Sequence, residues 1–512
     1  MSTIYVLGID LGMTSIKAAF MRQDGSIACQ ASGRVEPEFP QNSWVEINPE
    51  QWWSVICSLS KSLLETGGID KSEVKGIAIA SAASGVTAID KNRKPLRKSI
   101  IWLDNRAAAD ADLLMETFGG KDLFFEQTGM LLSGRDAIVK HIWLKQNEPE
   151  LYANTRYFLD DAGYILYRAT GTCVCSRPNA SNIALDLEKG EWDRNLLNAF
   201  ELDHKKYPPL VNSNELVGWL TGRAAKDMGL LAGTSVFGGC TDINGIELGS
   251  GCCKPGDAFF YLGTSGHVGT MSAEVQKPSL AAMPIASTVP DNVTMLGTSE
   301  VIGGCLMWAV ENLYRHEFET LGMEALNFAD EQLLKTKPGA DGLIFANWLC
   351  GEGERNPMLD ECARGGFINL SINHTRDHML RAIFEGCTLQ MVWIVNEIER
   401  LHGIPVPRLR VSGGGALSPN WMQIVADVAG RPVDIVEDAS MIVAKGAGYL
   451  ALVGLGNMMS FEDVSERVKI VKTYLPHPEN VVLYRKRLVD YITMYLYQKG
   501  LYKHLNGGVG GV

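Results

Sequence analysis

The chain has 512 residues, 46% apolar and 21% charged, and a formal net charge of −12. That length is too great for one compact core and predicts two large domains. The acidic balance excludes a general attraction to nucleic acid or to anionic membranes, so an anionic nucleotide would have to be held by backbone N–H groups, a few cations and a metal ion.

The first thirty-five residues read as three strands, 4–10, 15–21 and 26–35. The turns between them are short and carry Gly12 and Asp24-Gly25, which favours antiparallel pairing. Asn48 and Pro49 have the chemistry of an N-cap and first helical residue for a helix running to about Thr66. Strands at 74–80 and 86–90 follow, and antiparallel strands succeeded by alternating helices and strands predict a mixed sheet with helices on its faces. The same plan restarts near residue 257: Asp257-Ala258-Phe259-Phe260-Tyr261-Leu262-Gly263-Thr264-Ser265-Gly266 is again a strand ending in a small, Gly-rich turn, with a return strand at 267–271. Two such hairpins about 250 residues apart indicate a duplicated domain, with the boundary near 249–254. Helices are expected at 299–313, 376–401, 419–429 and 441–453. No apolar run reaches the ~20 residues of a membrane span, and no basic-then-apolar leader precedes the first strand, so a cytoplasmic location is expected. The eleven cysteines include no pair of C-x-x-C motifs and read as free thiols.

Four places carry candidate chemistry. Asp10-Leu11-Gly12-Met13-Thr14-Ser15 has the parts of a phosphate loop: Gly12 for close backbone approach, Thr14 and Ser15 as hydroxyl donors, and Asp10 to hold Mg²⁺. The bland alternative is a hairpin whose polar residues only close the turn, but the second hairpin at Gly263-Thr264-Ser265-Gly266 favours two loops clamping one triphosphate. There is no Walker A sequence. Gly238-Gly239-Cys240-Thr241-Asp242 places one acid in an otherwise uncharged stretch, either as a turn former or as the carboxylate that accepts a proton from a substrate hydroxyl. Arg410-Val411-Ser412-Gly413-Gly414-Gly415-Ala416 runs from a strand through three glycines toward a helix, which suits either a bound base or phosphate, or tight packing. Trp102-Leu103-Asp104-Asn105-Arg106 offers an aromatic face, a carboxylate and a guanidinium, a mixture sugar sites use; it reads equally as a helix cap beside a core tryptophan.

Together these residues resemble the FGGY carbohydrate kinase family, its xylulokinase-like branch above all. The resemblance runs in unbroken order over about residues 4–455. It takes in the first phosphate loop, Trp44-Val45-Glu46-Ile47-Asn48-Pro49-Glu50-Gln51-Trp52-Trp53 and the W-x-D-x-R segment at Trp102. Beyond these lie K-x-x-W-L from Lys140, G-G-x-x-D ending at Asp242, the second phosphate loop, G-E-R-x-P from Gly353, Arg381-Ala382-Ile383-Phe384-Glu385-Gly386 and G-G-G-A from Gly413. It implies an α/β chain of two duplicated RNase H-like, actin-type (ASKHA) domains, here 1–250 and 251–512, about a central cleft that closes on substrate. It implies ATP and Mg²⁺, a small sugar or polyol as substrate, and neither nucleic acid nor membrane as partner; a homodimer fits the family. By the resemblance Asp242 is the catalytic base, and Asp10 and Asp242 flank Mg²⁺. Gly12, Thr14, Gly263 and Thr264 touch the phosphates, while Gly303, Gly304, Gly414, Gly415 and Ser418 line the adenosine side. Asp104 and Arg106 lie near the sugar with Trp102, Ala83 and Ser84. Two departures stand out. Ala82-Ala83-Ser84 replaces the Gln-Met-His of xylulokinases, which removes polar contacts and leaves room for a different or shifted substrate. Met13 stands where Thr is usual. The altered loop also admits a second reading, a catalytically silent nucleotide-binding regulator of the same fold.

Overall fold

The computed structural model describes residues 3–128, 131–351, 353–456 and 459–507. The first sheet opens with β1 (Tyr5–Leu11), β2 (Ser15–Arg22) and β3 (Ile27–Arg34), paired antiparallel in succession. Helix α1 (Pro49–Gly67) follows. Its N-cap Asn48 accepts from the Glu50 N–H at 3.1 Å, Pro49 fills the first position, and Gly68 at φ 59° closes it. Next come β4 (Val74–Ser81), α2 (Ala137–Asn147), α3 (Asp161–Thr170), β5 (Leu216–Trp219), β6 (Ser235–Phe237), β7 (Cys240–Thr241) and α4 (Asp242–Gly249). The sheet order is β5-β6-β4-β1-β2-β3, with β7 also on β4.

The second sheet repeats the plan. It is built from β8 (Ala258–Leu262), β9 (Gly266–Ser272), β10 (Met283–Ala286) and β11 (Val293–Ser299), followed by helices α5 (Gly303–Leu313) and α6 (Arg376–His402). Then come β12 (Leu409–Ser412), α7 (Pro419–Ala429), β13 (Val433–Val436), α8 (Ile442–Gly454), β14 (Ile470–Tyr474) and α9 (Pro478–Asn506). Its order is β10-β11-β9-β8-β12-β13-β14. In both sheets an antiparallel run, of three strands in the first and four in the second, meets two parallel strands and ends on an antiparallel one. The duplication predicted from two hairpins therefore extends to whole sheets. Residue 299, expected in a helix, ends β11; the helix starts at Gly303, because the chain first pairs Ser299 with Gly266.

Strand alternation sorts the first sheet's two faces. Leu7, Ile9, Phe20, Ile77 and Ile79 pack with α1 residues such as Trp52, Ile56 and Leu63, so the Trp44–Trp53 motif is largely core. Val6, Met21, Ala78 and Ala80 turn the other way and join α4, α8 and the second sheet in one larger cluster. There the backbones nearly touch. A Cβ on Gly8 of β1 would lie 2.1 Å from the Ala444 carbonyl, and one on Gly446 of α8 would lie 2.0 Å from the Gly245 carbonyl of α4. All eleven cysteines are free thiols, most of them buried. No described helix is long and apolar enough to cross a membrane.

Within α2, His141 is buried, stacked on Phe158 with ring centroids 4.2 Å apart, and its Nδ1 lies 3.0 Å from the Tyr207 hydroxyl. Burial lowers its pKa to about 3, so it folds neutral. A histidine with a depressed folded pKa contributes stability that is complete above its unfolded value of about 6.5 and lost as pH falls toward the folded value. His141→Leu should therefore gain about 2 kcal/mol on the wild type between pH 7.5 and pH 5. Urea unfolding at both pH values checks this, and an unchanged difference would refute it.

Candidate active site

Asp10 is the penultimate residue of β1 and pairs with Ala80 on β4 and Lys17 on β2. On the far side of β4, Cys240 pairs with the same Ala80 and Thr241 with Ser81, so Asp242 is delivered one residue beyond. Two neighbouring strand spacings set the separation at roughly 10 Å between backbones, close enough for two carboxylates to share one cation with its water. Thr241 caps α4, accepting from the Asn244 N–H at 3.2 Å, and Asp242 accepts from the Ile243 N–H at 2.8 Å. Burial pushes Asp10 up to about 7; Lys17 opposes that and the Asp242 charge adds to it. Burial likewise pushes Asp242 up to about 6 against two backbone hydrogen bonds. The Lys17 ammonium is committed elsewhere, donating to the Ser440 carbonyl at 2.9 Å. Two neighbouring carboxylates with raised pKa, neither in an ion pair within 4.0 Å among the described residues, are a donor set that fits Mg²⁺, which binds through one or two carboxylates, water and phosphate oxygens. No cluster of three or more His, Cys, Asp or Glu side chains gathers for a metal among the described residues, so an all-protein metal cage is not what this site offers.

The two hairpin loops are each three residues long, 12–14 and 263–265. In each the most exposed residue is a threonine, Thr14 and Thr264. Aligned by strand ends, Met13 occupies the position of Thr264. The backbone of the first loop is pinned by the Val35 N–H donating to the Thr14 carbonyl at 2.9 Å, and that of the second by the Gly263 N–H donating to the Ser265 carbonyl at 3.0 Å. The start of α5 docks on the second loop: Gly303 N–H donates to Gly263 O at 2.9 Å and Gly304 N–H to Thr264 O at 3.2 Å. Gly303 must be glycine, since a Cβ would sit 2.4 Å from the Gly263 carbonyl. Gly303 and Gly304 thus brace the second loop, with their N–H groups already bonded. His267, which the sequence reading passed over, holds the same loop, its Nε2 3.1 Å from the Ser265 hydroxyl.

The three-glycine turn lies alongside. Strand β12 pairs with β8 through Tyr261–Ser412, and Gly413 at φ 90° packs against the Leu262 backbone. Gly414 is exposed, with no atom within 4 Å of where its Cβ would be, so its backbone is open to a ligand. Gly415 packs on the Trp421 ring, and Ser418 caps α7 while donating to Asp330.

The proposed sugar elements divide in two. Ala83 and Ser84 are half-buried in the turn after β4, with Ser84 at φ 63°. Trp102 is 37% exposed. Between them lies Lys140, wholly buried, donating to the carbonyls of Ser84 (3.0 Å) and Ile101 (2.9 Å). Asp104 and Arg106, by contrast, have no exposed side-chain surface. Asp104 accepts from the Val45 N–H at 2.5 Å and from Arg106 Nε at 2.9 Å and Nη2 at 2.7 Å. Arg106 also bonds Glu46 at 2.7 Å and lies over the Trp44 ring at 3.9 Å. Its Nη1 is buried with no partner among the described residues.

Family models for the FGGY family of carbohydrate kinases match the chain twice, the N-terminal domain over residues 5–249 and the C-terminal domain over residues 258–455. The chain belongs to the FGGY family. A xylulose kinase of Bacillus subtilis (strain 168) is 29% identical over 503 residues, covering 97% of this chain and 98% of that protein. A gluconokinase of the same organism is 26% identical over 518 residues, covering 98% and 100%. The crystal structure of a xylulose kinase from Rhodospirillum rubrum superposes with a TM-score of 0.88 at 26% identity, covering 97% of this chain and 99% of that one. The protein is therefore a carbohydrate kinase of the xylulokinase-like kind, with two α/β domains of the ASKHA type.

Proposed function

We propose that this kinase transfers the γ-phosphoryl group of ATP to a hydroxyl of a small neutral or acidic carbohydrate, a ketopentose, related sugar, sugar acid or polyol, with Asp242 as base. The observation that carries this reading is the pairing of Asp10 and Asp242 across β4, beside a hairpin whose counterpart recurs in the second sheet. The substrate oxygen attacks phosphorus, the new O–P bond forms as the bond to the β-phosphate oxygen breaks, ADP leaves with that electron pair, and the hydroxyl proton passes to Asp242. Asp10 and Asp242 would hold Mg²⁺, which neutralises phosphate charge when bound. Gly12 and Gly263 let phosphate oxygens come close to the two loops, Thr14 and Thr264 supply hydroxyl donors, and Gly414 gives the nucleotide an unobstructed backbone.

In this reading residues 1–250 present the sugar and 251–512 the nucleotide. Ala83, Ser84 and Trp102 face the sugar. Asp104 and Arg106 serve from behind, as the brace of the loop that carries Trp102. Free thiols and the absence of a spanning helix among the described residues fit a cytoplasmic enzyme. The silent-regulator alternative finds no support among the relatives described above. The deciding experiment is ADP release with Mg·ATP across ketopentoses, tetruloses, polyols, sugar acids and deoxysugars. A sugar-dependent rate is expected for one class; ATP binding with silence across the panel would overturn the reading.

A further inference from the structure

Glu247 lies five residues beyond Asp242 on α4 and is fully buried. It forms no ion pair among the described residues. Its Oε1 accepts from Ser287 Oγ (2.6 Å), Thr288 Oγ1 (3.1 Å) and the Thr288 N–H (3.3 Å). Its Oε2 accepts from Thr294 Oγ1 and from the Asn244 amide at 3.5 Å. Thr294 belongs to β11, and Ser287 and Thr288 follow β10 directly. Asn244 extends the network at both ends: its amide donates to the Ala286 carbonyl at 3.0 Å, and its Oδ1 accepts at 2.6 Å from Thr241, the cap residue just before Asp242. On the other side β11 pairs with β9 residue for residue, from Ser272–Val293 to Gly266–Ser299, and β9 is the return strand of the 263–265 loop.

A buried carboxylate without a counter-charge is a poor choice for stability alone, and an apolar residue would serve the fold better. Its neighbours Ile243, Ile246 and Leu248 are all apolar. What the carboxylate provides is directionality: four donors from the second sheet converge on one side chain of the Asp242 helix.

We propose that Glu247 is a positioning residue that fixes the register of the Asp242 helix against the strand pair carrying the second phosphate loop, and so sets the separation of base and transferred phosphoryl. This rests on the kinase reading above. Glu247→Gln keeps the shape, but whichever way its amide turns, the N–H₂ meets a donor that cannot reverse, the Thr288 N–H on one side or the Asn244 amide on the other. On the purified full-length chain, kcat should fall about 30-fold, with KM for ATP and sugar within about twofold and with ATP hydrolysis rising relative to transfer. Thr294→Val removes one donor and should shift kcat the same way, by about threefold, if Glu247→Gln does not fold. A lowered Tm with unchanged kcat would overturn the proposal. A second measurement needs no sugar. Mg·ATP should slow hydrogen exchange at the 242–249 amides of the wild type and fail to do so in the variant. If the variant keeps that slowing, the proposal is wrong. A wild type silent toward every sugar would count against the kinase reading alone, since the exchange result still decides this one.

Discussion

Asp242→Asn should retain ATP binding and lose sugar-dependent phosphoryl transfer by about a thousandfold or more. The substitution changes little else. Asparagine has the same size, and its carbonyl oxygen can still accept from the Ile243 N–H that now reaches Asp242 Oδ1 at 2.8 Å. Thr241 remains as the helix cap. What disappears is the ability to take a proton at the end of β7, one strand away from the Asp10 carboxylate at the end of β1. Asp10 pairs beside Lys17 on the opposite flank of β4 and cannot replace it without moving a strand. A coupled ADP assay on the preferred sugar, with nucleotide affinity measured separately, gives the result. A variant within tenfold of wild type would mean that the base lies elsewhere.

The second large effect is structural. Gly446→Ala should destabilise the protein by about 3 kcal/mol or more, although the same change in an open helix normally stabilises by up to about 1 kcal/mol. The added methyl would stand 2.0 Å from the Gly245 carbonyl, 2.8 Å from its carbon and 2.9 Å from its Cα. These are backbone atoms, so no rotamer can relieve the overlap and α4 must separate from α8. Gly500→Ala in α9, where nothing lies within 4 Å, is the control and should be neutral or slightly stabilising. Denaturant unfolding of both variants tests the contrast; equal stabilities would refute the close helix contact.

The sequence made the first meander, the second hairpin, the cap of α1 and the full extent of α7 readable, because each has local chemistry: alternating apolar residues, short glycine turns, Asn-Pro and Ser-Pro starts. Asp10 and Asp242 stand out as candidates for the same reason, as acids closing apolar or glycine-rich runs. Three things were not readable. Helix α9 gives no single apolar stripe: Tyr484, Tyr491, Tyr495 and Tyr502 are buried while Val482, Val489 and Leu496 are exposed, so its pattern points both ways. The buried network of Asp104 and Arg106 leaves no local mark, because their partners Glu46, Val45 and Trp44 lie about 60 residues earlier in the chain, so the segment reads equally as a sugar contact or a helix cap. Glu247 is invisible from sequence because its partners in the second domain, Ser287, Thr288 and Thr294, lie 40 to 47 residues downstream and are ordinary serines and threonines.

Helix α8 lies on β1, β2 and β4, and Lys17 meets Ser440 across 423 residues of chain. During synthesis the strands that carry Asp10 leave the ribosome early and must wait for nearly the whole remaining chain before one apolar face, with Val6, Met21, Ala78 and Ala80, is covered. Within the first 250 residues α4 reaches that side of the sheet, but α8, which lies on β1, β2 and β4, is made only later, so the nascent sheet keeps much of this apolar side uncovered. A fragment ending before residue 442 should be sticky and short-lived, while one supplied with the 442–454 helix in trans should recover much of its solubility.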